Sequence, residues 1–248
     1  MRPLAIIPVY NEADILPAVL RHLEREGCDV YLLDNWSTDR HMIHSWTFNE
    51  TWPDHEPTFY DWTGILKRVE EIALEHGRRR WCILHDADEI RRSWHCDTTL
   101  SEGLRFAGRF GYNAAKFEVR HYVPVDDSWK PGGDPEEHFR YYRPDHVDYR
   151  NSQIKAWIQG DERVDLHTHA GHEVVFSSRG VFPYSFLIKH YPIRSQEHGE
   201  RKMRERRYSP EERAKGWHVQ YDHWRGQLKP NFIEKPENLC FDTGTPKA

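Results

Sequence analysis

The N-terminal region alternates short apolar runs with an amphipathic segment. Residues 3–10 (PLAIIPVY) form a continuous apolar run rich in Ile and Val, which is typical of a strand buried on both faces in a parallel sheet. Apolar residues then recur at helical spacing between Ile15 and Leu23, and Gly27 ends this segment. A second apolar run follows at 29–35 (DVYLLDN). Strand, helix and strand in this order predict a βαβ unit, and therefore a parallel sheet with a right-handed crossover.

The alternation continues as far as about residue 112, where the pattern changes. Residues 60–76 have an apolar stripe at helical spacing and precede Gly77, so they predict a second helix. Residues 79–86 (RRWCILHD) predict a third strand. Beyond residue 112 we predict a long loop at 125–138 and strands within residues 114–123, 154–159, 172–178 and 185–191.

Residues 194–215 are a run of mixed charge, with eight Lys or Arg and five Glu. The run predicts a helix as far as the break at Ser209 and Pro210. Such a run is typical of a solvated helical face. The alternative is a basic flap that folds over phosphates. The proline-containing residues from 230 onward predict a wrapping tail.

These patterns predict a single α/β domain over residues 1–248, because neither an internal repeat nor a linker composition divides the chain. Residues 1–110 would form one half, with a mostly parallel central sheet flanked by helices. Residues 111–195 would form a mixed half, and residues 196–248 would add the basic helix and the tail.

Composition and charge narrow the functional classes. The net charge is -5, which argues against a general nucleic-acid binder. No apolar run reaches the length of a membrane span, and the N-terminus lacks a signal-peptide pattern, so we expect a cytoplasmic protein for which peripheral membrane association stays open. The four cysteines have no CxxC spacing and are expected to be reduced. Ten Trp, 12 Tyr and 11 Phe suit either a core or the stacking of sugars and bases.

Three polar clusters follow the first three predicted strands, at residues 10–12 (YNE), 34–39 (DNWSTD) and 86–89 (DADE). The carboxyl ends of the strands are the edge at which open α/β sheets bind ligands. Neither GxGxxG nor GxxxxGK[ST] occurs in the sequence. A nucleotide at this edge would therefore be held by side chains.

Asp86 and Asp88 stand two residues apart at the end of an apolar run. Two such carboxylates offer hard oxygen ligands, which suit Mg²⁺ or Mn²⁺ bound together with the phosphates of a substrate. A DxD pattern alone also fits a strand-end turn or a helix cap. Its position after two other polar strand ends favours the metal-binding interpretation.

The segments IIPVYNEADIL, LLDNWSTD and LHDADE, in this order and spacing, resemble family 2 glycosyltransferases with a GT-A-type fold. The shared pattern is an opening P-x-Y-N-E, a D-[ND]-x-S-x-D on the second strand and the DxD motif. It covers about the first 90 residues, and later only IKHYPIRS resembles a family feature. The resemblance implies a Rossmann-like nucleotide-binding half and a metal-dependent, inverting transfer from a nucleoside-diphosphate sugar to a carbohydrate or other hydroxyl acceptor.

The resemblance also implies roles for particular residues. Those implied to contact the nucleotide sugar are Pro8, Tyr10, Asn11, Glu12, Asp34, Asn35, Asp86 and Arg194. Those implied to bind Mn²⁺ or Mg²⁺ are Asp86, Asp88 and His190. Simpler roles compete with these, since Asn11 is an ordinary residue at a helix start and a single histidine is often structural.

The general base is a carboxylate that takes the proton of the acceptor hydroxyl. Glu173, Asp126 and Asp127 are the candidates, with Asp165 and Glu162 as further options. Each of them could equally be a solvated loop carboxylate.

The segment HTHAGHE places His167, His169 and His172 at the spacing of the metallo-hydrolase motif HxHxDH, but Gly171 stands where that motif needs Asp. A zinc site is therefore not favoured.

Two other functional classes remain open from the sequence. One is a nucleotidyltransferase or other phosphoryl-transfer enzyme that uses the same Asp pair. The other is a catalytically silent protein that binds a nucleotide sugar.

Overall fold

The computed structural model describes residues 1–39, 49–144, 152–218, 227 and 230–244. The strands are β1 Leu4–Val9, β2 Asp29–Asp34, β3 Glu50–Thr51, β4 Trp81–Leu84, β5 Glu89–Arg92, β6 Ala114–His121, β7 Tyr141–Tyr142, β8 Ser152–Ile158, β9 Phe186–His190 and β10 Cys240–Phe241. The helices are α1 Leu16–Arg25, α2 Trp62–His76, α3 Leu100–Arg109, α4 Pro135–His138, α5 Gln196–Glu205 and α6 Pro210–Ala214. Within these ranges, every helix is too short or too polar to cross a bilayer.

Eight of the strands form one mixed sheet in the order β3-β2-β1-β4-β8-β6-β9-β5. Strand β1 lies between β2 and β4 and is parallel to both, which confirms the predicted βαβ unit. Strands β2 and β3 are also parallel, as are β6 and β9. The pairs β4 with β8, β8 with β6 and β9 with β5 are antiparallel. The fold is therefore α/β, with a parallel first part and a mixed second part.

The core has two layers because both faces of β1 are covered. Ala5, Ile7 and Val9 face α1 and α3, whereas Leu4 and Ile6 face α2. This alternation follows from the two-residue period of a strand. All six residues of β1 are buried, as the uninterrupted apolar run predicts. The four cysteines form no disulfide.

Two predicted elements differ from the structure. The second helix begins at Trp62 rather than at residue 60, because the Asp61 carboxylate accepts a hydrogen bond from Gly64 N and caps the helix. The predicted strand over 172–178 is wrong. Only isolated bridges occur there, between Glu173 and Ile154 and between Val175 and Asp165.

Seven elements were not anticipated: β3, β5, β7, β10, α3, α4 and α6. Helix α3 begins with a capping box, in which Thr99 and Glu102 each bond the backbone N–H of the other. Helix α4 lies within the predicted loop at 125–138 and has Asp134 as its cap. The last four residues of the predicted tail, 245–248, lie outside the described residues.

The connection between β4 and β5 requires the sheet to curl. Residues 85–88 alone join these strands, although three other strands separate them in the sheet. In a flat sheet the two strands would lie roughly 19 Å apart, whereas the five Cα steps from Leu84 to Glu89 span at most roughly 18 Å. The Arg91 side chain of β5 donates to Leu84 O of β4 at 2.5 Å, so the two strands are close in space. The curl brings the second half of the sheet over the carboxyl end of β4.

Several histidines are buried in uncharged form. Burial and the nearby Arg92 guanidinium lower the pKa of His22 from 6.5 to about 4. The His22 imidazole lies with Nε2 2.7 Å from Arg91 O, and Nδ1 has no partner among the described residues. Burial lowers the pKa of His85, His198 and His121 as well. The unfolded chain therefore binds protons that the folded chain does not.

We predict that in His22→Gln the free energy of unfolding falls less steeply than in wild type as the pH is lowered. Because the folded pKa is depressed, acidification from pH 6.5 to about 4 protonates His22 mainly in the unfolded state and destabilises the fold. Loss of one such group should reduce the slope by up to about 1.4 kcal/mol per pH unit. Urea denaturation between pH 4 and 7 measures this, with the exposed His55→Gln as the control. Equal slopes in both variants would contradict the assignment.

Candidate functional site

A cavity of about 180 Å³ lies at the carboxyl ends of β1 and β4. Six residues predicted from the sequence line it: Pro8, Tyr10, Glu12, Asp86, Asp88 and His190. The other side chains that line it include Tyr60, Trp62, Lys155, His172, Lys202, Arg206, Tyr208 and His218. The structure therefore brings residues from both halves of the chain to one site.

Asp86 is held by a lysine from the second half of the sheet. The Lys155 ammonium of β8 lies 2.7 Å from Asp86 Oδ2 and 3.2 Å from Glu89 Oε1. Burial opposes the charge on Lys155, but the two carboxylates raise its pKa above the usual value. Glu89 also accepts from Arg91 at 2.7 Å. Although burial disfavours its charge, Lys155 and Arg91 lower the pKa of Glu89 to about 2.

Asp88 lies between a lysine and a histidine. Lys202 Nζ donates to Asp88 Oδ2 at 3.1 Å, and His190 Nε2 lies 3.5 Å from Asp88 Oδ1. Burial disfavours the charge on Asp88, but Lys202 and His190 keep its pKa well below the usual range. Burial also disfavours charge on His190, yet Asp88 and Glu89 raise the pKa of this imidazole.

The arrangement of Asp88 and His190 fits a divalent cation. Two atoms that each lie about 2.1 Å from one metal ion are at most about 4.2 Å apart, and the distance from Asp88 Oδ1 to His190 Nε2 is within this limit at 3.5 Å. Carboxylate oxygens with one imidazole nitrogen are ligands that suit Mn²⁺. Asp86 faces the same cavity. The roles of these three residues as metal ligands stay predictions.

Asp86, Asp88 and His190 do not bring three possible ligand atoms within 4.8 Å of one another, whereas three other groups in the described ranges do. They are His95 with Cys96 and Asp97, Glu12 with Asp14 and His198, and Glu70 with Asp165 and His167. The second group surrounds a guanidinium, and Glu70 accepts from the backbone of residues 166 and 167. The histidine triplet at 167, 169 and 172 does not form such a group.

Arg194 lies beneath the cavity rather than in it. It is completely buried, and its guanidinium donates to Glu12 Oε2 at 2.5 Å and to Asp14 Oδ2 at 2.7 Å. Burial disfavours the charge on Asp14, but Arg194 holds its pKa well below the usual range. The resemblance implied a donor contact for Arg194, whereas the structure gives it the position of an internal counter-ion.

Asp34 at the end of β2 and Asn11 after β1 both bond to the loop that follows β2. Asp34 is completely buried and accepts a hydrogen bond from Ser37 N at 3.1 Å. Asn11 accepts from Thr38 N at 2.8 Å and donates to Glu205 at 3.2 Å. Neither lines the cavity that contains Asp86 and Asp88.

A second cavity, also of about 180 Å³, adjoins the first at Tyr10 and Tyr60. Asn35 and Trp36 lie in its wall, and the Asn35 amide donates to Trp52 O at 2.9 Å. The two cavities together form a continuous region along the carboxyl ends of β2, β1 and β4.

The predicted general bases lie outside the cavity. Glu173 is paired with Arg179 at 2.6 Å. Asp126 accepts from Ser128 N at 2.9 Å, and Asp127 accepts from Gln196 N at 2.8 Å. The further options Asp165 and Glu162 do not line it either. The neighbour of Glu173, His172, does.

Aromatic rings form one wall of the cavity. Tyr60 and Trp62 are stacked with centroids 6.1 Å apart, and Tyr10 lies 5.8 Å from Tyr60. Tyr208 stacks on His218 at 3.9 Å. Sequence reasoning assigned Tyr10 to the site but missed Tyr60, Trp62 and Tyr208. The first two stand at the start of a segment predicted only as a helix, and Tyr208 lies between α5 and α6.

Lys155 and His172 were also missed, although each had a signal. Lys155 is a lone charge in the apolar segment IKAWIQ, and His172 belongs to the histidine triplet that was considered for zinc.

No protein-family model matches this chain, and no curated protein matches it. Among solved structures, residues 1–349 of TarS from S. aureus, a wall teichoic acid glycosyltransferase, align with 14% identity and a TM-score of 0.40. The alignment covers 77% of this chain and 60% of the TarS chain, so less than two thirds of TarS is matched. A likeness this distant carries no argument about function, which has to follow from the site itself.

We predict that Arg194→Ala lowers the free energy of unfolding by about 3–5 kcal/mol, because Glu12 and Asp14 lose a buried counter-ion. The matched control is Arg204→Ala, which removes an exposed guanidinium from α5. Urea denaturation measures both variants. A loss for Arg194→Ala no larger than that of the control would contradict the structural role.

Proposed function

We propose that this protein transfers a sugar from a nucleoside-diphosphate sugar to a hydroxyl of an acceptor, with Mn²⁺ or Mg²⁺ bound beside Asp88. The observation that supports the proposal is the convergence on one cavity of three carboxylates, three imidazoles, basic side chains and stacked aromatic rings. This cavity lies at the strand edge where open α/β sheets bind nucleotides.

Asp88 and His190 would hold the cation, with Asp86 as the further carboxylate of the set. A divalent cation supplies positive charge that offsets the charge developing on a leaving diphosphate. Lys202 and Arg206 are four residues apart on and just after α5, and both line the cavity. Their side chains would donate to phosphate oxygens.

The two adjoining cavities would divide the donor between them. The Asn35 and Trp36 side offers an amide and an aromatic ring, which suit a nucleobase. The Asp86 and Asp88 side would take the diphosphate and the sugar, and the Tyr60 and Trp62 rings provide a flat apolar wall for a sugar ring. Tyr10 borders both cavities, so it would lie near the ribose.

Inversion requires a base near the acceptor hydroxyl. Glu173, Asp126 and Asp127 each have another hydrogen-bond or ion-pair partner away from the cavity. The His172 imidazole lines the cavity. The surrounding protein and the Lys155 ammonium lower the pKa of His172, so the imidazole is neutral near pH 7 and can accept a proton. We therefore add His172 to the candidates.

Product analysis separates this proposal from the two other classes. The protein would be incubated with UDP-, GDP- and dTDP-sugars, with and without Mn²⁺, after a thermal-shift panel has identified the donor that stabilises it. From these donors a glycosyltransferase releases a nucleoside diphosphate, whereas transfer of the nucleoside monophosphate group would release a sugar 1-phosphate. In a parallel incubation with nucleoside triphosphates and a sugar 1-phosphate, a nucleotidyltransferase would release pyrophosphate. Stabilisation with no turnover would indicate a silent binding protein.

We predict that Asp88→Asn reduces Mn²⁺-dependent release of nucleoside diphosphate by about 100-fold or more. The fold should persist, because Lys202 still donates to Glu12 and Pro192. Asp161→Asn makes the same chemical change at a solvated position and should retain full activity. Wild-type turnover of Asp88→Asn at limiting Mn²⁺ would exclude the metal role.

We predict that His172→Gln lowers kcat by about 100-fold, the usual contribution of a general base. The affinity for the donor, measured by calorimetry, should stay unchanged. Glu173→Gln is the matched comparison, and its kcat should stay close to wild type because its carboxylate is paired with Arg179. The reverse pattern would assign the base to Glu173.

A further inference from the structure

The Lys202 ammonium lies against the same Asp88 carboxylate that, with His190, would hold a divalent cation. Its Nζ donates to Asp88 Oδ2 at 3.1 Å, Glu12 Oε1 at 3.3 Å and Pro192 O at 2.8 Å. An ammonium has three protons, so all three have an acceptor. The side chain is only 4% exposed. Lys202 is thus bound by the site as an internal cation.

A divalent cation at Asp88 and this ammonium would compete for the same carboxylate. The cation would lie about 2.1 Å from Asp88 Oδ1, and Lys202 already lies 3.1 Å from Oδ2 of the same group. Two positive charges at this separation repel strongly in a buried site. Metal entry therefore favours departure of Lys202 from Asp88.

The other contacts of Lys202 allow it to leave. Glu12 retains Arg194 at 2.5 Å and Arg206 at 2.7 Å, so its charge stays paired. Asp88 keeps His190 at 3.5 Å as its ion-pair partner among the described residues, so its Oδ2 atom becomes available to a metal. Lys202 stands on α5 beside the cavity, and the phosphate oxygens of a diphosphate would offer the ammonium new acceptors.

Lys155 does not share this behaviour. Its ammonium bridges Asp86 and Glu89 from within strand β8, and it is 3% exposed. The strand fixes its backbone, and departure would leave Arg91 as the remaining cation paired with Glu89 in the described part of the chain. The exchange is therefore assigned to Lys202.

We propose that Lys202 is the resident counter-ion of Asp88 and that its displacement makes the binding of a divalent cation and of a nucleoside diphosphate mutually dependent. Binding of either ligand moves Lys202 away from Asp88, and this raises the affinity of the site for the other ligand. By linkage, the factor by which the nucleotide raises metal affinity equals the factor by which the metal raises nucleotide affinity. The coupling with a nucleotide rests on the proposed function, whereas the competition of Lys202 with the metal does not.

The test measures Mn²⁺ binding by electron paramagnetic resonance, with and without UDP, GDP or dTDP. Wild type should bind Mn²⁺ at least about tenfold more tightly when the preferred nucleoside diphosphate is present. Lys202→Met should bind Mn²⁺ alone at least about tenfold more tightly than wild type does, and the nucleotide should add little to this affinity. The control is Lys215→Met, an identical change at an exposed position, which should behave as wild type.

Two failures are distinguishable. Nucleotide binding by wild type, together with an unchanged Mn²⁺ affinity in Lys202→Met, would overturn the role of Lys202 and leave the proposed function standing. Tighter Mn²⁺ binding by Lys202→Met, with no nucleotide binding by wild type, would keep the metal competition and overturn the transferase and the coupling. If Lys202→Met does not fold, Lys202→Gln replaces it, because the amide can still donate to Glu12. If neither folds, equal Mn²⁺ affinity of wild type with and without nucleotide overturns the coupling, and a tenfold difference supports it.

Discussion

The short connection at residues 85–88 is the constraint on which the site depends. It joins two strands that lie four positions apart in the sheet, so the sheet can close this distance only by curling. Lys155 lies near Asp86 because β8 pairs directly with β4, and the curl brings His190 of β9 to the carboxyl end of β4. Asp86 and Asp88 lie in the connection itself. Residues 85–88 therefore contribute the acidic side chains of the site. Because their short length forces the sheet to curl, they also determine which basic side chain lies beside them.

Charge balance explains why so many ionised groups can be buried together. Arg194 joins the polar residues after β1 to the segment before α5, and each carboxylate around it has a cation within hydrogen-bond distance. A buried charge without a partner would be strongly destabilising. Basic residues of α5 are thus required for the packing of Glu12 as well as for any ligand. The sequence predicts a solvated face for this helix, and only the outer side of α5 is solvated.

The first 90 residues were the most predictable part, because continuous apolar runs and one helical stripe leave few alternatives for β1, α1, β2 and β4. The positions of Asp86 and Asp88 at a strand end also followed from the sequence. Strand β5 could not be predicted, since EIRR reads as polar. Arg91 is buried and paired with Glu89 of the same strand, and Arg92 pairs with the distant Glu26 and Glu136. The segment 172–178 alternates like a strand but has no continuous neighbour to pair with. Whether each of these two segments forms a strand depends on pairing with a segment distant in the sequence. The local pattern of polar and apolar residues does not contain that information.

The order of the strands also sets a condition on the growing chain during translation. Strand β4 pairs with β1 on one side, but its other edge can pair only after β8 has been synthesised. Strand β5 likewise can pair only after β9 has been synthesised. Until residues near 190 have left the ribosome, two strand edges and the apolar surface around them stay uncovered. A nascent polypeptide with such edges is open to pairing with another chain. In the finished sheet these two edges are hydrogen-bonded to β8 and β9, so the hazard is confined to synthesis.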